Sequence, residues 1–392
     1  MFGTIFCENS RTFAGAPDID TDPTRIPLVL IAMLMAVTTS GCAIFDTWEP
    51  PEIPPEKAEQ PLQERPRLDP ISRNYFVLGT PEQSVIGQPQ IVFARAEDTF
   101  SDLAREYGLG YDEMLAANPE IDPWLPGEGT PVLLPTQYVL PDVARQGAVL
   151  NIASRRLFYF PEVAEGEPVK VMTYPIGIGR VGWETPLGET TVVSKALNPH
   201  WYVPASVRKE HAEMGDPLPS VVLPGPDNPL GSHVLKLGLP GYLIHGTNQP
   251  YGVGMRVSHG CVRLYPENIE HLYLLVGVGE QVRIINEPYL VGMIDSQLYF
   301  EAHLPLEDDE QSPETRLQNI FASRDAFGDE SIQIAAKATA AEASGVPVPL
   351  LSTGAADVRL DARLVRNTVE LDPNAPTLAE VRALLDEPEV ID

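Results

Sequence analysis

The chain has 392 residues, and its 43% apolar and 21% charged residues are typical of a globular protein. This length allows two or three domains. The formal net charge of -28 argues against nucleic acid as a partner, because phosphate binding needs clustered lysine and arginine. Forty prolines, about twice the usual proportion, indicate linkers.

The first 42 residues are predicted to be a signal peptide. An apolar run from Ile26 to about Val37 is shorter than the roughly 20 residues that span a bilayer, but it suits a signal-peptide core. The letters TSGC end at Cys42 and resemble the bacterial lipoprotein box, with Thr39 where leucine is commonest. This resemblance implies a lipid on Cys42, and plain secretion is the alternative. The residue after Cys42 is Ala43 and not the aspartate that retains lipoproteins in the inner membrane. The protein is therefore expected in the periplasm, with its lipid anchored in the outer membrane.

Residues 43–90 are predicted to form a proline-rich linker. Between Glu49 and Pro70 about one residue in three is proline and almost none is large and apolar, which gives a semi-rigid, extended spacer. Such a spacer would hold the folded part of the protein away from the membrane.

A small α+β unit is predicted for residues 91–139, in the order strand, helix, helix, strand. Thr99, followed three residues later by aspartate, is typical of a capping box. The segments EDTFSDLAREYG, LAANP and GTPVLLP resemble the LysM module. That resemblance implies binding of N-acetylglucosamine-rich glycan near Asp98, Thr99, Asn118 and Ile121. A spacer domain that has lost sugar binding is the alternative.

Residues 148–289 are predicted to be a mainly β domain of sandwich or barrel type. Short runs of β-forming residues, such as AVLNIASRRLFYF and VKVMTYPIGIG, follow one another closely and are broken by glycine and proline. Strands without long helices between them favour this architecture over a parallel α/β sheet. One helix is expected after the cysteine motif, from about Pro266 to Leu275.

Residues 290–392 are predicted to be an acidic C-terminal extension, partly helical or disordered. Another hairpin could begin it. Ser312 as a cap and Pro313 at the first helical position predict one helix, and Thr377 with Glu380 predicts another. No chemistry is predicted here, and the extension is either a partner-binding appendage or largely disordered.

Cys261 would be the only thiol of the exported protein, since Cys7 would be removed with the signal peptide and Cys42 would carry lipid. No intramolecular disulfide is then available. An unpaired thiol in an oxidising compartment needs either burial or a function. Its neighbours in SHGC, histidine and glycine, are not core-forming residues, which favours a function.

Cys261 and His245 are the candidates for nucleophilic catalysis. Cysteine attacks as the thiolate, so a base or a cation must lower its pKa, and His245 is the candidate base. Both residues follow short apolar runs, so two strand ends that meet in a sheet would bring them within hydrogen-bond distance. The backbone N–H groups of His259, Gly260 and Cys261 lie at a turn and could form an oxyanion hole. Arg263 can bind a carboxylate, and these roles together predict acyl transfer.

A zinc site is the alternative for this cluster. His245, His259 and Cys261 can each be zinc ligands. The sequence contains no second cysteine nearby and no Cys-X-X-Cys motif, which favours the catalytic interpretation.

The string YLIHGTNQPYGVGMRVSHGCVRLYPENI closely resembles the catalytic signature of the bacterial L,D-transpeptidases, the YkuD-type family. The segments ETPLGETTVVSK, NPHWYVPASVR and VVLPGPDNPLG fit the same family. The resemblance implies that Cys261 attacks the carbonyl between the third and fourth residues of a peptidoglycan tetrapeptide stem and releases D-alanine. His245 would take the thiol proton, with its ring fixed by the backbone carbonyl of Gly246.

The resemblance also implies roles for the residues around the cysteine and for the acyl acceptor. Ser258 and His259 would shape the pocket, Gly260 would allow the turn, and Arg263 would hold a stem carboxylate. The acceptor amine would come from diaminopimelate, giving a 3–3 cross-link, or from the lysine of an outer-membrane lipoprotein. Acylation of Cys261 by carbapenems is implied, and no cofactor or metal is called for. Hydrolysis by the same site and a non-catalytic wall-binding lipoprotein are the alternatives.

Overall fold

The computed structural model describes residues 74–294 and 296–350. The predicted signal peptide, the lipid site at Cys42, the linker as far as residue 73 and the chain from residue 351, with the helix predicted at Thr377, lie outside these residues. No helix in the described ranges is long and apolar enough to cross a membrane.

The described residues contain twenty short strands and six α-helices. The strands are β1 (Tyr75–Val77), β2 (Val85–Gly87), β3 (Gln90–Phe93), β4 (Pro131–Leu134), β5 (Gln137–Val139), β6 (Gly147–Asn151), β7 (Arg156–Phe160), β8 (Lys170–Pro175), β9 (Ile178–Gly179), β10 (Gly188–Leu197), β11 (Trp201–Tyr202), β12 (Val221–Val222), β13 (His233–Leu237), β14 (Leu243–His245), β15 (Arg256–Ser258), β16 (Val262–Arg263), β17 (Gln281–Ile285), β18 (Tyr289–Ile294), β19 (Gln297–Ala302) and β20 (Val348–Pro349). The helices are α1 (Phe100–Tyr107), α2 (Tyr111–Ala117), α3 (Ala205–Glu213), α4 (Pro266–Leu275), α5 (Pro313–Ser323) and α6 (Glu330–Glu342).

Nine strands form a mixed sheet in the order β1-β8-β7-β6-β17-β10-β13-β14-β16. The β6–β17 and β14–β16 pairs are parallel, and the other neighbours are antiparallel. One face of this sheet packs on α4, and the core there includes Leu157, Tyr174, Ile244 and Ile269. The predictions of a mainly β domain and of a helix directly after the cysteine motif are therefore confirmed.

Helix α3 was not predicted. It lies between β10 and β13, and among its residues only Val207 is buried. Its sequence, ASVRKEHAE, is mostly polar, so the apolar period of 3.6 residues that reveals an amphipathic helix is too weak to see.

The predicted order of strand, helix, helix and strand is present between β3 and β4, which pair antiparallel. Helix α1 begins at a capping box, in which the Thr99 side chain accepts from the Asp102 N–H and the Asp102 carboxylate accepts from the Thr99 N–H. It ends at Gly108, whose φ of 66° is the left-handed cap that glycine adopts without strain. We call residues 90–134 the βααβ unit.

The βααβ unit shares its core with the large sheet. Side chains alternate between the two faces of a strand, so β6, β7 and β8 turn one set toward α4 and the opposite set toward the βααβ unit. The second set packs with the apolar residues of α1 and α2 and consists of Val149, Phe158, Phe160 and Val171. These strands are thus buried on both faces.

A buried ion pair crosses the same interface. The Arg156 guanidinium, 1% exposed, donates from Nε to Glu113 Oε1 at 2.8 Å and from Nη2 to Glu113 Oε2 at 2.7 Å. It also lies over the Tyr138 ring, 4.1 Å from the ring centre. Burial of a charge is costly without a partner, so this pair ties α2 to β7.

The predicted linker, residues 43–90, extends into the folded part of the structure. Strands β1 and β2 lie inside the predicted linker, where β1 pairs with β8 and β2 with β5, so the folded part begins before residue 91. The proline-rich composition that suggested a spacer ends at Pro70.

The C-terminal extension is folded as far as residue 350. Strands β18, β19 and β20 form a sheet, and α5 and α6 pack on it around Phe300 and Phe327. Helix α5 begins with Pro313 after the cap Ser312, as predicted.

Candidate active site

The sheet brings the two predicted catalytic strand ends together. Strands β14 and β16 are parallel neighbours in which Ile244 pairs with Val262 and His245 with Arg263. Residues that pair across adjacent strands project from the same face. Cys261 lies directly before β16, and the Arg263 charge acts on the pKa of both Cys261 and His245. The prediction that these strand ends meet in one sheet is confirmed.

His245 is held as a neutral imidazole with a fixed tautomer. Its Nδ1 lies 2.6 Å from the backbone oxygen of Gly246, and because a carbonyl only accepts, Nδ1 carries the proton. The lone pair is therefore on Nε2. Burial of the ring and, to a smaller extent, the nearby positive charge of Arg263 together lower the pKa of His245 from 6.5 to about 3. The ring orientation is the one implied by the family resemblance.

The thiol of Cys261 is held as the neutral form as well. Burial raises its pKa above 9.0, while the Leu243 backbone N–H and the Arg263 charge act in the opposite direction. Sγ lies 3.7 Å from the Gly241 oxygen. The directions of both pKa shifts favour a neutral thiol and a neutral imidazole in the resting site, and proton transfer from Cys261 to His245 stays a prediction.

Ser258 holds the turn that presents the cysteine. Its side chain is 1% exposed, donates to the Cys261 backbone oxygen at 2.5 Å and accepts from the Gly260 N–H at 3.2 Å. Ser258 is thus engaged within the turn that presents Cys261, and its predicted part in shaping the pocket stays a prediction. The Gly260 N–H is likewise occupied, which corrects its predicted part in an oxyanion hole. The N–H groups of His259 and Cys261 remain as the candidates.

Glycines allow a second strand to pass directly under this turn. Gly260 has φ of 98°, and a Cβ on it would lie 3.0 Å from the Tyr242 ring. Gly179 of β9 comes so close that a Cβ would lie 2.0 Å from the Trp183 oxygen and 2.9 Å from the Gly260 Cα. Thr185 connects the two glycines, since its hydroxyl accepts from the Gly179 N–H and donates to the Gly260 oxygen, both at 3.0 Å.

His259 belongs to a charged cluster that the sequence analysis missed. Its Nε2 lies 2.9 Å from Glu210 Oε2 of α3 and 3.2 Å from Arg180 Nη2, while Arg180 also pairs with Glu210. The Trp183 ring meets His259 edge to face at 4.9 Å. The hydrogen bonds from Arg180 and His259 hold the pKa of Glu210 below its usual value. Because these residues are far apart in the sequence, no local pattern could have revealed the cluster.

Arg263 presents an unused donor to the site. Its side chain is half-buried, and Nε is a buried atom with no hydrogen-bond partner among the described residues. Burial lowers the pKa of its guanidinium, and the neighbouring Cys261 acts in the opposite direction. A buried donor without a partner is unfavourable, so this position suits a ligand with an acceptor oxygen.

The predicted glycan-binding side chains have local structural roles. The Asp98 carboxylate accepts from the Arg95 N–H at 2.6 Å, and Thr99 caps α1. The Asn118 amide donates to the backbone oxygens of Met114 and Leu133 and accepts from the Leu133 N–H. Ile121 is half-buried and packs against the core. The three polar side chains are thus engaged by the fold, and glycan binding at these residues stays a prediction.

No group of three or more histidine, cysteine or acidic residues in the described ranges could hold a metal ion. A cavity of about 950 Å³ lies elsewhere, between the loops at residues 79–84 and 140–145 and the β18–β19 hairpin, and none of the candidate residues lines it. The candidate active site is the group of residues around Cys261 at the ends of β14 and β16.

Two matches to known proteins decide the family. Residues 145–284 match the family model described as YkuD, the L,D-transpeptidase catalytic domain. Over 235 residues the chain is 41% identical to "Probable L,D-transpeptidase YbiS" of Escherichia coli strain K12, and the match covers 59% of this chain and 75% of YbiS. The chain belongs to the L,D-transpeptidase family.

Other transpeptidases are also similar. "Probable L,D-transpeptidase ErfK/SrfK" of Salmonella typhimurium is 41% identical over 231 residues, which are 58% of this chain and 73% of the relative. A solved L,D-transpeptidase from Mycobacterium smegmatis is 23% identical, with 40% of this chain and 63% of that chain covered at a TM-score of 0.25. The enzyme is an L,D-transpeptidase, and this family acts on peptidoglycan stem peptides.

The neutral pair predicts an unusual pH dependence for this transpeptidase. Because the pKa of His245 is lowered to about 3, the base form is present throughout the neutral and mildly acidic range. We expect kcat/KM for D-alanine release to stay flat from about pH 5 to 8, without the acid limb near 6.5 that an exposed histidine would give.

The thiol can be tested separately in the same pH range. Alkylation of Cys261 by iodoacetamide should follow a pKa above the value of about 8.5 of an ordinary thiol, with glutathione measured alongside as the reference. An alkylation midpoint below 7 would show a thiolate–imidazolium pair and contradict the neutral assignment.

Proposed function

We propose that the enzyme transfers peptidoglycan stem peptides through a thioester on Cys261. Sγ attacks the carbonyl carbon between the third and fourth residues of a tetrapeptide, and His245 Nε2 takes the thiol proton in the same step. The tetrahedral oxyanion is stabilised by the backbone N–H groups of His259 and Cys261. Collapse breaks the peptide bond, and the leaving D-alanine amine takes the proton back from His245.

The second half-reaction restores the enzyme. An acceptor amine attacks the thioester carbonyl, its proton passes to His245 Nε2, and Cys261 leaves as the thiol once it regains that proton. One peptide bond is broken and one formed, so no cofactor is needed. The acceptor is the side-chain amine of a second diaminopimelate, giving a 3–3 cross-link, or the lysine of an outer-membrane lipoprotein.

The observation that carries this proposal is the imidazole on the strand next to the cysteine. The hydrogen bond from Nδ1 to the Gly246 oxygen fixes the tautomer in which Nε2 is the base. A low imidazole pKa favours return of the proton, which the reaction requires twice per turnover. The unpaired Nε of Arg263 supports recognition of a stem carboxylate by the same site.

The test uses purified protein and defined disaccharide-tetrapeptides, with products identified by mass. Dimers joined through diaminopimelate, together with free D-alanine, support transpeptidation. Tripeptide monomers as the sole products would replace it with hydrolysis. Binding to sacculi without any turnover would leave a non-catalytic wall-binding protein. A carbapenem should add its full mass to the protein at Cys261.

The proposed location is the periplasm, with a lipid on Cys42 that holds the enzyme to the outer membrane. The support is the TSGC sequence after an apolar run, followed by Ala43 rather than aspartate. Cys42→Ser is expected to move the protein from the membrane fraction to the soluble periplasm, with an outer-membrane protein and a soluble periplasmic protein as fractionation markers. Unchanged fractionation would refute the lipid anchor.

The βααβ unit is proposed to be a LysM module that binds the glycan of peptidoglycan. The support is its element order, its resemblance in sequence, and the loops at residues 98–99 and 118–121. Because the side chains of Asp98, Thr99 and Asn118 serve the fold, the sugar contacts there are assigned to backbone groups and to Ile121.

A further inference from the structure

Two large aromatic side chains are exposed to solvent near the junction between the βααβ unit and the active-site segment. At this junction Gly110 and Tyr111 contact Val253 and Gly254. Trp124 is 63% exposed, and its neighbour Leu125 is 74% exposed. Tyr251, in the segment that joins His245 to Cys261, is 61% exposed. Tryptophan and tyrosine are enriched at binding interfaces, because each combines an apolar ring with a polar group.

Trp124 is held by its loop. The N–H groups of Trp124 and Leu125 donate to the Asp122 carboxylate at 2.9 and 3.3 Å. The preceding Pro123 oxygen accepts from the Phe100 N–H at 2.8 Å, at the start of α1. The indole is therefore exposed on an ordered loop rather than at the end of a free one.

A short chain of contacts joins the Trp124 loop to the active-site segment. The Trp124 and Tyr111 rings lie 6.3 Å apart, centre to centre, and the Tyr111 N–H donates to the Val253 oxygen at 3.2 Å. Gly254, with φ of 84°, has its backbone against Gly110, and a Cβ on it would lie 2.2 Å from the Gly110 Cα. Val253 is two residues from Tyr251, so a short chain of backbone and ring contacts leads from the Trp124 loop to the segment that carries Tyr251.

This junction is fixed by charge as well as by packing. Besides the buried Arg156–Glu113 pair, Arg105 of α1 forms two hydrogen bonds with Glu267 of α4, at 3.0 and 2.9 Å. Helix α4 follows directly after the cysteine motif. The Trp124 loop, which is hydrogen-bonded to the start of α1, is thus connected through α1 to the helix that follows Cys261.

We propose that Trp124 and Tyr251 form one binding surface for the glycan strand that carries the donor stem. The proposal rests on the proposed function, since it concerns the substrate of the same site. Stem peptides are covalently attached to the sugars, so a strand whose stem reaches Cys261 must pass over the surface beside it. The apolar faces of N-acetylated pyranose rings can stack on exposed aromatic rings.

The charges around this surface favour a neutral polymer. The Trp124 loop carries the exposed acidic residues Glu120, Asp122 and Glu128. These carboxylates would repel an anionic polymer or an acidic lipid surface. An uncharged glycan backbone fits, and the fixed spacing would then select stems attached to a strand over free peptides.

The test measures specificity in the full chain. Wild type, Trp124→Ala and Tyr251→Ala are compared on a free tetrapeptide and on the same tetrapeptide attached to a glycan oligomer of defined length. The ratio of kcat/KM for the attached over the free peptide should fall about tenfold in each variant, the effect of one lost stacking contact. Tyr202→Ala is the matched control, because Tyr202 is 74% exposed on β11, and its ratio should equal that of wild type.

A second readout separates this proposal from the proposed function. Titration of each protein with a soluble N-acetylglucosamine oligomer should show about tenfold weaker binding for both variants, whether or not the enzyme turns over. Equal kcat/KM ratios and equal affinity for the oligomer in all four proteins would refute the proposed glycan-binding surface. A loss in Trp124→Ala alone would also overturn it, because Tyr251 would then take no part. Absence of turnover in wild type, with the binding differences intact, would refute only the proposed function.

Discussion

Replacing Cys261 with serine is expected to lower the rate of D-alanine release by a factor of about 10⁴ or more. The reason lies in the base. Because burial lowers the pKa of His245 to about 3, the imidazole is weak and can accept a proton only from an acidic nucleophile. A thiol gives up its proton far more readily than a hydroxyl, so the serine variant keeps the geometry but loses the proton transfer that accompanies the attack.

Two measurements check this result. D-alanine release is followed by mass spectrometry with a tetrapeptide, and the intact protein mass shows whether an acyl group accumulates. Only wild type should gain the mass of the tripeptide acyl group. The melting temperatures of the two proteins should agree closely, because the half-buried thiol differs from a hydroxyl by one atom. Serine turnover within tenfold of wild type would contradict the assigned nucleophile.

Glu113→Ala is expected to lower the free energy of unfolding by about 3–5 kcal/mol. The substitution leaves the Arg156 guanidinium, 1% exposed, without the carboxylate that accepts two of its hydrogen bonds. Such a buried charge cannot return to water without opening the interface between α2 and β7. The remaining Thr173 hydroxyl and Gly108 oxygen, at 3.3 and 3.4 Å, are weak substitutes for a charge.

The matched control is a surface ion pair in the same protein. Lys209 and Glu213 lie 3.9 Å apart, with side chains 79% and 68% exposed. Glu213→Ala should change the unfolding free energy by less than about 0.5 kcal/mol, because water screens such pairs. Both values come from denaturant titration. A loss below 1 kcal/mol in Glu113→Ala would show that Arg156 finds another partner or water.

Local signals in the sequence predicted the parts of the fold that depend on neighbouring residues. The capping box at Thr99 and the cap at Ser312 are present as expected, because each hydrogen bond closes within a few residues. The pairing of β14 with β16 was also predictable, since both strands end at residues whose chemistry needs a common location. The Gly246 contact followed from the family resemblance.

The remainder depends on contacts between distant segments. Glu210 reaches His259 across 49 residues of sequence from a helix that has almost no apolar period. The SHGC motif predicts only that Ser258 shapes the pocket. The hydrogen bond by which its hydroxyl closes the turn at Cys261 depends on the coordinates. The neutrality of the thiol and imidazole likewise follows from burial, a property of the assembled sheet.

The burial of β6, β7 and β8 on both faces limits how genes that encode this enzyme can recombine. Phe158 and Phe160 face the βααβ unit, while Leu157 and Tyr159 face the other core. A transpeptidase that lost the βααβ unit by recombination would expose the apolar sheet face that contains Phe158 and Phe160. It would aggregate unless these residues were replaced by polar ones. Exchange of the βααβ unit between related genes therefore requires matching changes in β6, β7 and β8, so we expect the two parts to evolve together.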